Sequence, residues 1–249
     1  SGSAVGPVSG GGEAQIKPVV TARREDDQHV DDAIVPEDLA EHLRPHQRQG
    51  VAKAIYAIDS TGGFILADGT GAGKTRQELA IAEYYRRKGL RVLIITPEQV
   101  MGPKWRDGVI HGSFHDDAEA MGLNLQVLTQ GEVPRDAISI TGYGSLQYIR
   151  DDPNLVVICD EAHAFKNCMG ARTSIRAKHG LRLINRAHGA VFASATPADK
   201  VTHLPYLARA GVYEGKTQAQ QFRDLGLIRV EKRIRGGRTV AEWSISPAI

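Results

Sequence analysis

A chain of 249 residues with 41% hydrophobic and 24% charged content can bury one substantial core, and its formal net charge of +2 creates no global field that would by itself draw in a polyanion. Two cysteines, Cys159 and Cys168, are too few for a disulfide scaffold and fit a reducing compartment, and no apolar run approaches the roughly 18 residues of a membrane-spanning helix. A disulfide-stapled secreted module and a helical membrane protein are thereby excluded, and the expectation is a soluble cytoplasmic protein with no membrane partner.

In chain order, residues 1–36 read as a disordered arm. Glycine and serine come first, then Arg23-Arg24-Glu25-Asp26-Asp27 and Asp31-Asp32, with few large apolar residues. From Glu37 the pattern turns helical, and residues 37–228 read as one globular domain in which short apolar runs alternate with helices. Strands are expected over residues 64–67, 91–95, 125–128, 137–140, 155–159 and 190–193. The helix after the first of them spans residues 74–88 and ends at Gly89, a residue suited to a left-handed cap. This alternation predicts an α/β fold with a mostly parallel sheet and helices on both faces. Residues 229–249 form a basic C-terminal extension, where Arg229, Lys232, Arg233, Arg235 and Arg238 stand against the single acid Glu231 over residues 229–238. Such a tract can grip phosphates without sequence preference, or be a solvated basic strand or turn.

Two segments carry the chemistry. Gly69-Thr70-Gly71-Ala72-Gly73-Lys74-Thr75 follows the apolar run Phe64-Ile65-Leu66-Ala67 and precedes a helical pattern, the strand-loop-helix setting in which backbone N–H groups wrap phosphates. Lys74 is placed to reach the β- and γ-phosphates of ATP, and the Thr75 hydroxyl to ligate Mg²⁺. Asp68 stands where a strict phosphate-loop pattern has its first glycine. Far downstream, Asp160-Glu161-Ala162-His163 follows the run Leu155-Val156-Val157-Ile158-Cys159, so both carboxylates are expected at the carboxyl end of a buried parallel strand, where α/β sheets bind ligands. Asp160 is then the metal-holding residue and Glu161 the one that polarises the attacking water.

Lined up with their neighbours, these segments resemble the first, RecA-like motor lobe of superfamily 2 helicases and translocases. Leu43-Arg44-Pro45-His46-Gln47 with Gly50-Val51 is similar to the glutamine motif that reads adenine, in wording close to that of the Swi/Snf ATPases. Ile95-Thr96-Pro97 and Ile140-Thr141-Gly142-Tyr143 resemble motifs that touch a nucleic-acid backbone, which implies Thr96, Pro97 and Thr141 as contacts. Ser194-Ala195-Thr196-Pro197 resembles the motif that links hydrolysis to movement. Within the superfamily, Ala67-Asp68-Gly69-Thr70-Gly71-Ala72-Gly73-Lys74, the run from Asp160 to Asn167, Gly180-Leu181-Arg182-Leu183-Ile184-Asn185 and Leu207-Ala208-Arg209-Ala210-Gly211-Val212-Tyr213 resemble the strawberry notch family, over roughly residues 38 to 228. Thr75 stands where that family often has glycine.

The resemblance implies the ATP-binding lobe of a nucleic-acid-dependent ATPase, with DNA favoured over RNA as partner. Only residues 198–249 follow the Ser-Ala-Thr-Pro segment, too few for the second RecA-like lobe with its arginine finger. The expectation is half a motor, completed by further chain or by a separate polypeptide. Turnover by the lobe alone should be weak, since an absent arginine finger costs about 10³ to 10⁵ in rate. The competing reading is a non-motor protein that uses the nucleotide as a switch.

Several side chains have two readings. The Gln47 amide can pair with the adenine edge or be an ordinary helix-start glutamine. His163 can bridge the phosphate site to Ser194 or Thr196, or be a satisfied structural histidine. Trp105 and Tyr143 can stack on bases or pack in the core. His111 and His115, four apart, can share a helix face, but no matching cysteine or carboxylate pair accompanies them.

Overall fold

The apolar runs of the sequence become the strands of one sheet. The structure, a computed structural model, describes residues 30–66, 73–101, 104–106, 109–111, 113–165, 175–194, 207, 210, 227–233 and 239–245. Its elements are α1 (Glu37–Ala40), α2 (Pro45–Thr61), β1 (Gly63–Leu66), α3 (Lys74–Arg87), β2 (Arg91–Thr96), α4 (Glu98–Met101), β3 (Lys104–Arg106), β4 (Val109–His111), α5 (Ser113–Ala120), β5 (Leu125–Val127), β6 (Ile138–Gly142), β7 (Leu155–Asp160), α6 (Ile175–Arg186), β8 (Gly189–Ala193), β9 (Leu227–Arg233) and β10 (Thr239–Ile245). Short 3-10 turns occupy Asp32–Ile34, Tyr143–Tyr148 and Ala162–Phe165.

Six strands form a single sheet in the order β1-β8-β7-β2-β6-β5, and every pairing in it is parallel. All six are the strands expected from the sequence, with ends shifted by a residue or two. Because strand side chains alternate between faces, each central strand feeds two cores. Val92, Ile94, Val156, Ile158 and Val191 pack with Ile55, Leu79 and Ile81 from α2 and α3. Leu93, Ile95, Val157, Cys159 and Phe192 pack with Tyr143, Phe165, Leu183 and Ile184 on the opposite side. The result is the expected α/β fold with both sheet faces covered. Each such side chain, fully buried, contributes about 1.5–3 kcal/mol.

Local chemistry sets the helix ends. Pro45 opens α2, where its fixed φ and missing N–H cost nothing, and Gly62 closes it in the left-handed region at φ 84°. Gly89, at φ 81°, terminates the α3 segment as expected, its N–H donating to the carbonyl of Arg86.

Three features differ from the sequence reading. Most of the expected arm lies outside the described residues, but its last part packs on the domain: Val35 is buried and Asp32 pairs with Arg48 at 3.5 Å. His111 and His115 share no helix face, because His111 ends a strand of the antiparallel pair β3–β4 and His115 lies on α5. No metal-holding cluster of His, Cys, Asp or Glu exists among the described residues. The basic tract begins as strand β9, paired antiparallel with β10, so Arg229, Lys232 and Arg233 lie on a β-hairpin, whereas Arg235 and Arg238 fall outside the described residues.

Candidate nucleotide-binding site

The sheet order brings the carboxyl ends of β1, β8 and β7 side by side. After β1 the chain passes through residues 67–72, which carry Gly69, Thr70, Gly71 and Ala72 and lie outside the described residues, and re-enters at Gly73. After β8 comes Ser194, whose N–H donates to the Leu66 carbonyl at 3.2 Å and stitches the two strand ends together. Ala195, Thr196 and Pro197 are outside the described residues. Strand β7 ends in Asp160, in register with Ala193.

Gly73 caps α3 in the left-handed region at φ 76°, where a side chain is strained, and a Cβ there would meet Gln47 Nε2 at 2.3 Å. That amide is buried and doubly used. Its Oε1 accepts from the Arg44 N–H at 2.8 Å, capping α2, and its Nε2 donates to the Gly73 carbonyl at 3.1 Å. Gln47 thus caps the start of α2 and clamps that helix to the end of the glycine-rich segment, the second a contact neither sequence reading contained.

Lys74 begins α3, and its Nζ is buried with no hydrogen-bond partner among the described residues. Asp160 is buried, and its Oδ2 accepts a 2.7 Å hydrogen bond from Thr96 Oγ1 on the neighbouring strand β2. Burial pushes the Asp160 carboxyl above its usual range. The Thr96 hydroxyl opposes that shift, Glu161 adds to it, and Lys74 opposes it.

Glu161 has φ 50°, the one described non-glycine residue with positive φ, a strained setting at the residue expected to handle water. Its Oε2 lies 2.9 Å from His163 Nδ1, and its side chain is about one-third exposed at 34%. The Tyr143 hydroxyl donates to the carbonyls of Asp160 at 2.6 Å and Glu161 at 3.3 Å, fixing the backbone that presents both acids.

These contacts correct several expectations. Thr96 and Thr141 are fully buried within the sheet, so neither presents a surface to a nucleic-acid backbone in this structure. Thr96 instead orients Asp160. Pro97 follows β2 and is half-buried, and beside it Glu98 lies over the second motif: a Cβ on Gly142 would meet its Cγ at 2.6 Å, and one on Gly144 its Oε1 at 2.6 Å. Tyr143 is a core residue, its ring edge-on to Phe165 at 5.1 Å, and not a base-stacking platform. The Trp105 side chain lies outside what the structure describes. His163 reaches Glu161, not Ser194, which is buried. One residue escaped the sequence reading entirely. Glu78, on α3, is fully buried, and neither carboxyl oxygen has a hydrogen-bond partner among the described residues. The available signal was an acid four residues after Lys74 inside an apolar helical stretch.

The family model for the Type III restriction enzyme res subunit matches residues 40–197. The chain belongs to this family. It is an N-terminal RecA-like lobe of superfamily 2 helicase type, a helicase-family ATPase domain. Its relatives include the DNA annealing helicase and endonuclease ZRANB3 of Mus musculus, 29% identical over 66% of this chain and 15% of that protein. A putative helicase 055L of Frog virus 3 is 32% identical over 70% of this chain and 37% of that protein. The SWI/SNF-related matrix-associated actin-dependent regulator of chromatin subfamily A-like protein 1 of Bos taurus is 28% identical over 74% of this chain and 19% of that protein. The chain thus spans well under half the length of each. Among solved structures, a Sulfolobus solfataricus SWI2/SNF2 ATPase core in complex with dsDNA shares the fold, with TM-score 0.51 and 21% identity over 68% of this chain and 35% of that one. These relatives carry the Swi/Snf side of the resemblance and do not specifically support its strawberry notch side. Among the described residues no helix is long and apolar enough to cross a membrane.

Proposed function

We propose that this lobe binds ATP·Mg²⁺ at the carboxyl edge of its sheet and hydrolyses it as one half of a nucleic-acid-dependent motor. The observation that supports this reading most is a buried Lys74 ammonium at the start of α3 with no hydrogen-bond partner among the described residues, on a lobe whose buried Asp160 ends strand β7 at the carboxyl edge of the sheet. A buried cation without a hydrogen-bond acceptor is costly, and a triphosphate supplies acceptors of the right charge. The residues present fit the nucleotide and its metal. Lys74 and the first N–H groups of α3 would hold the phosphates, and Thr75 and Asp160 would hold Mg²⁺, which supplies charge neutralisation on the phosphates. Thr96 keeps Asp160 oriented. Glu161, steadied by His163, accepts the proton of the attacking water.

Transition-state charge on the far side of the γ-phosphate requires a cation that the residues assigned to the site do not supply, so a second RecA-like lobe is the proposed partner. DNA is the proposed track, a reading supported by the DNA named for ZRANB3 and for the Sulfolobus ATPase core. Arg229, Lys232 and Arg233 on the β9–β10 hairpin, with Arg235 and Arg238, are the proposed phosphate contacts, which makes binding sequence-independent and salt-sensitive. Ser194, Ala195 and Thr196 are proposed to couple hydrolysis to lobe movement.

The test is ATP turnover by the purified chain, alone and with single- and double-stranded DNA and RNA, before and after addition of a second-lobe polypeptide. Weak turnover alone, restored by the second lobe and stimulated by DNA, is the expected result. Robust DNA-stimulated hydrolysis or unwinding by the chain as a monomer would sink the half-motor reading.

A further inference from the structure

Helix α3 begins at Lys74 and carries Glu78 one turn further on, a spacing that places the two side chains on one face about 5–6 Å apart at their Cβ atoms. Both polar ends are buried, and neither has a hydrogen-bond partner among the described residues. Glu78 is followed by Leu79, Ala80, Ile81 and Ala82, all fully buried, so the carboxyl stands where packing alone would choose an apolar side chain. A buried polar group left unsatisfied costs about 1–3 kcal/mol, and native proteins hold few of them. The other buried acid of this helix, Glu83, meets no such difficulty, because Arg86 and Arg87 grip it. Glu78 has no such surface partner.

Its electrostatic neighbours place it. The charges acting on Glu78 are those of Asp160, Lys74 and Glu161, and Glu78 in turn acts on Cys159 and Tyr143. These residues mark the end of β7 and the turn that braces it. Helix α3 also packs against β7, the strand that ends in Asp160, so the acid lies on an element that borders the nucleotide-site residues.

We propose that Glu78 is a positioning residue of the nucleotide site: its carboxyl, buried one turn beyond Lys74 and without a hydrogen-bond partner among the described residues, becomes the acceptor for one N–H of the Lys74 ammonium when the phosphates are bound and so sets where the remaining N–H groups meet them. The ammonium has three donors, and a lysine at the end of a flexible stem is confined to fewer positions on the phosphates when one donor is taken from within the fold. This inference rests on the nucleotide reading above and adds a residue to it.

The experiment compares wild type with Glu78→Gln, Glu78→Met, Glu78→Asp and Lys74→Ala, measuring the Kd for a fluorescent ATP analogue with Mg²⁺ and the Tm of each protein. Glu78→Met keeps the volume and removes the acceptor, and its Kd should rise about tenfold, the loss expected for one hydrogen bond to a charged group, without a fall in Tm. Glu78→Gln keeps an acceptor oxygen at the same reach and should stay within about threefold of wild type. Glu78→Asp withdraws the carboxyl by one methylene and should weaken binding as Met does, which keeps the test decisive if the Met variant does not fold. Lys74→Ala should abolish binding. Wild-type affinity in both the Met and Asp variants, with binding lost in Lys74→Ala, would overturn the role of Glu78 and leave the nucleotide site standing. Undiminished binding by Lys74→Ala would overturn the site itself and this proposal with it.

Discussion

The Thr96 hydroxyl on β2 donates a 2.7 Å hydrogen bond to Oδ2 of Asp160 at the end of the adjacent strand β7, inside the sheet and away from any surface that could touch nucleic acid. A residue whose motif suggests backbone contact thus orients Asp160, the acid proposed to hold the metal. Thr96→Val preserves shape and removes the donor. It should lower Mg²⁺-dependent ATP turnover by about 10–100-fold, the usual cost of losing a partner that orients a metal ligand, and Thr96→Ser should restore most of it. Steady-state kinetics over a Mg²⁺ titration checks this, and a Val variant with wild-type kinetics would remove Thr96 from the site.

Gln47 offers a second test, because its two amide atoms do different work. Gln47→Glu retains an oxygen to accept from the Arg44 N–H but sets a carboxylate against the Gly73 carbonyl, where Nε2 now donates. The α2 cap should survive, and ATP affinity should fall several-fold as the end of the glycine-rich segment is pushed away. Gln47→Ala should also lose the cap, costing about 1 kcal/mol of stability. Urea unfolding and ATP titration of the two variants separate the effects. Unchanged ATP affinity in Gln47→Glu would show that the Gly73 contact has no role of its own in the site.

The sheet was legible in the sequence because each strand is a short apolar run closed by a turn signal, and a parallel sheet buried on both faces requires such runs. The places of Lys74, Asp160 and Glu161 in the fold, at the start of α3 and the end of β7, were legible for the same reason: they follow those runs. What sequence could not reveal is which way a strand-end side chain points. Thr96 and Thr141 occupy the last turns of β2 and β6 and point inward, so a motif suggesting surface contact conceals a buried hydroxyl. Glu78 was hidden by helix periodicity, since Lys74 and Glu78 at a four-residue spacing look like an ordinary solvent-facing pair. The β3–β4 pair went unread, and β9 was legible only as one of two readings of the basic tract, because their polar residues interrupt the apolar alternation that marks a strand.

Gly180 on α6 is a packing constraint on the same site. A Cβ there would sit 2.1 Å from Cε1 and 2.6 Å from Cζ of Phe165, a fully buried ring that closes the turn after Glu161. Gly180→Ala improves helix propensity by about 1 kcal/mol at best but forces a core ring to move, so it should destabilise the fold by about 1–3 kcal/mol. Denaturant midpoints measure the change, and a more stable variant would mean that the α6 contact with Phe165 is looser than described.

Glu78 also predicts a pH dependence of stability. Burial pushes its carboxyl well above the ordinary value of 4.5, with Asp160 and Glu161 adding to the shift and Lys74 opposing it. The folded protein therefore holds this proton over a range where the unfolded chain has released it. The resulting contribution to stability is full below about 4.5 and declines as pH rises through that range, by up to about 1.4 kcal/mol per pH unit. Glu78→Gln removes the titration, so its stability advantage over wild type should grow as pH rises above about 4.5. Thermal melts across that range test the sign. A constant difference would place the Glu78 carboxyl in a more polar setting than its burial implies.

The central claim is that Lys74 and Asp160 form one ATP·Mg²⁺ site, and the most direct measurement is calorimetric titration of ATP with Mg²⁺ into wild type, Lys74→Ala and Glu161→Gln. Wild type and Glu161→Gln should bind with similar affinity while Glu161→Gln fails to turn over, and Lys74→Ala should show no measurable binding. Retention of wild-type affinity by Lys74→Ala would contradict the account at its foundation.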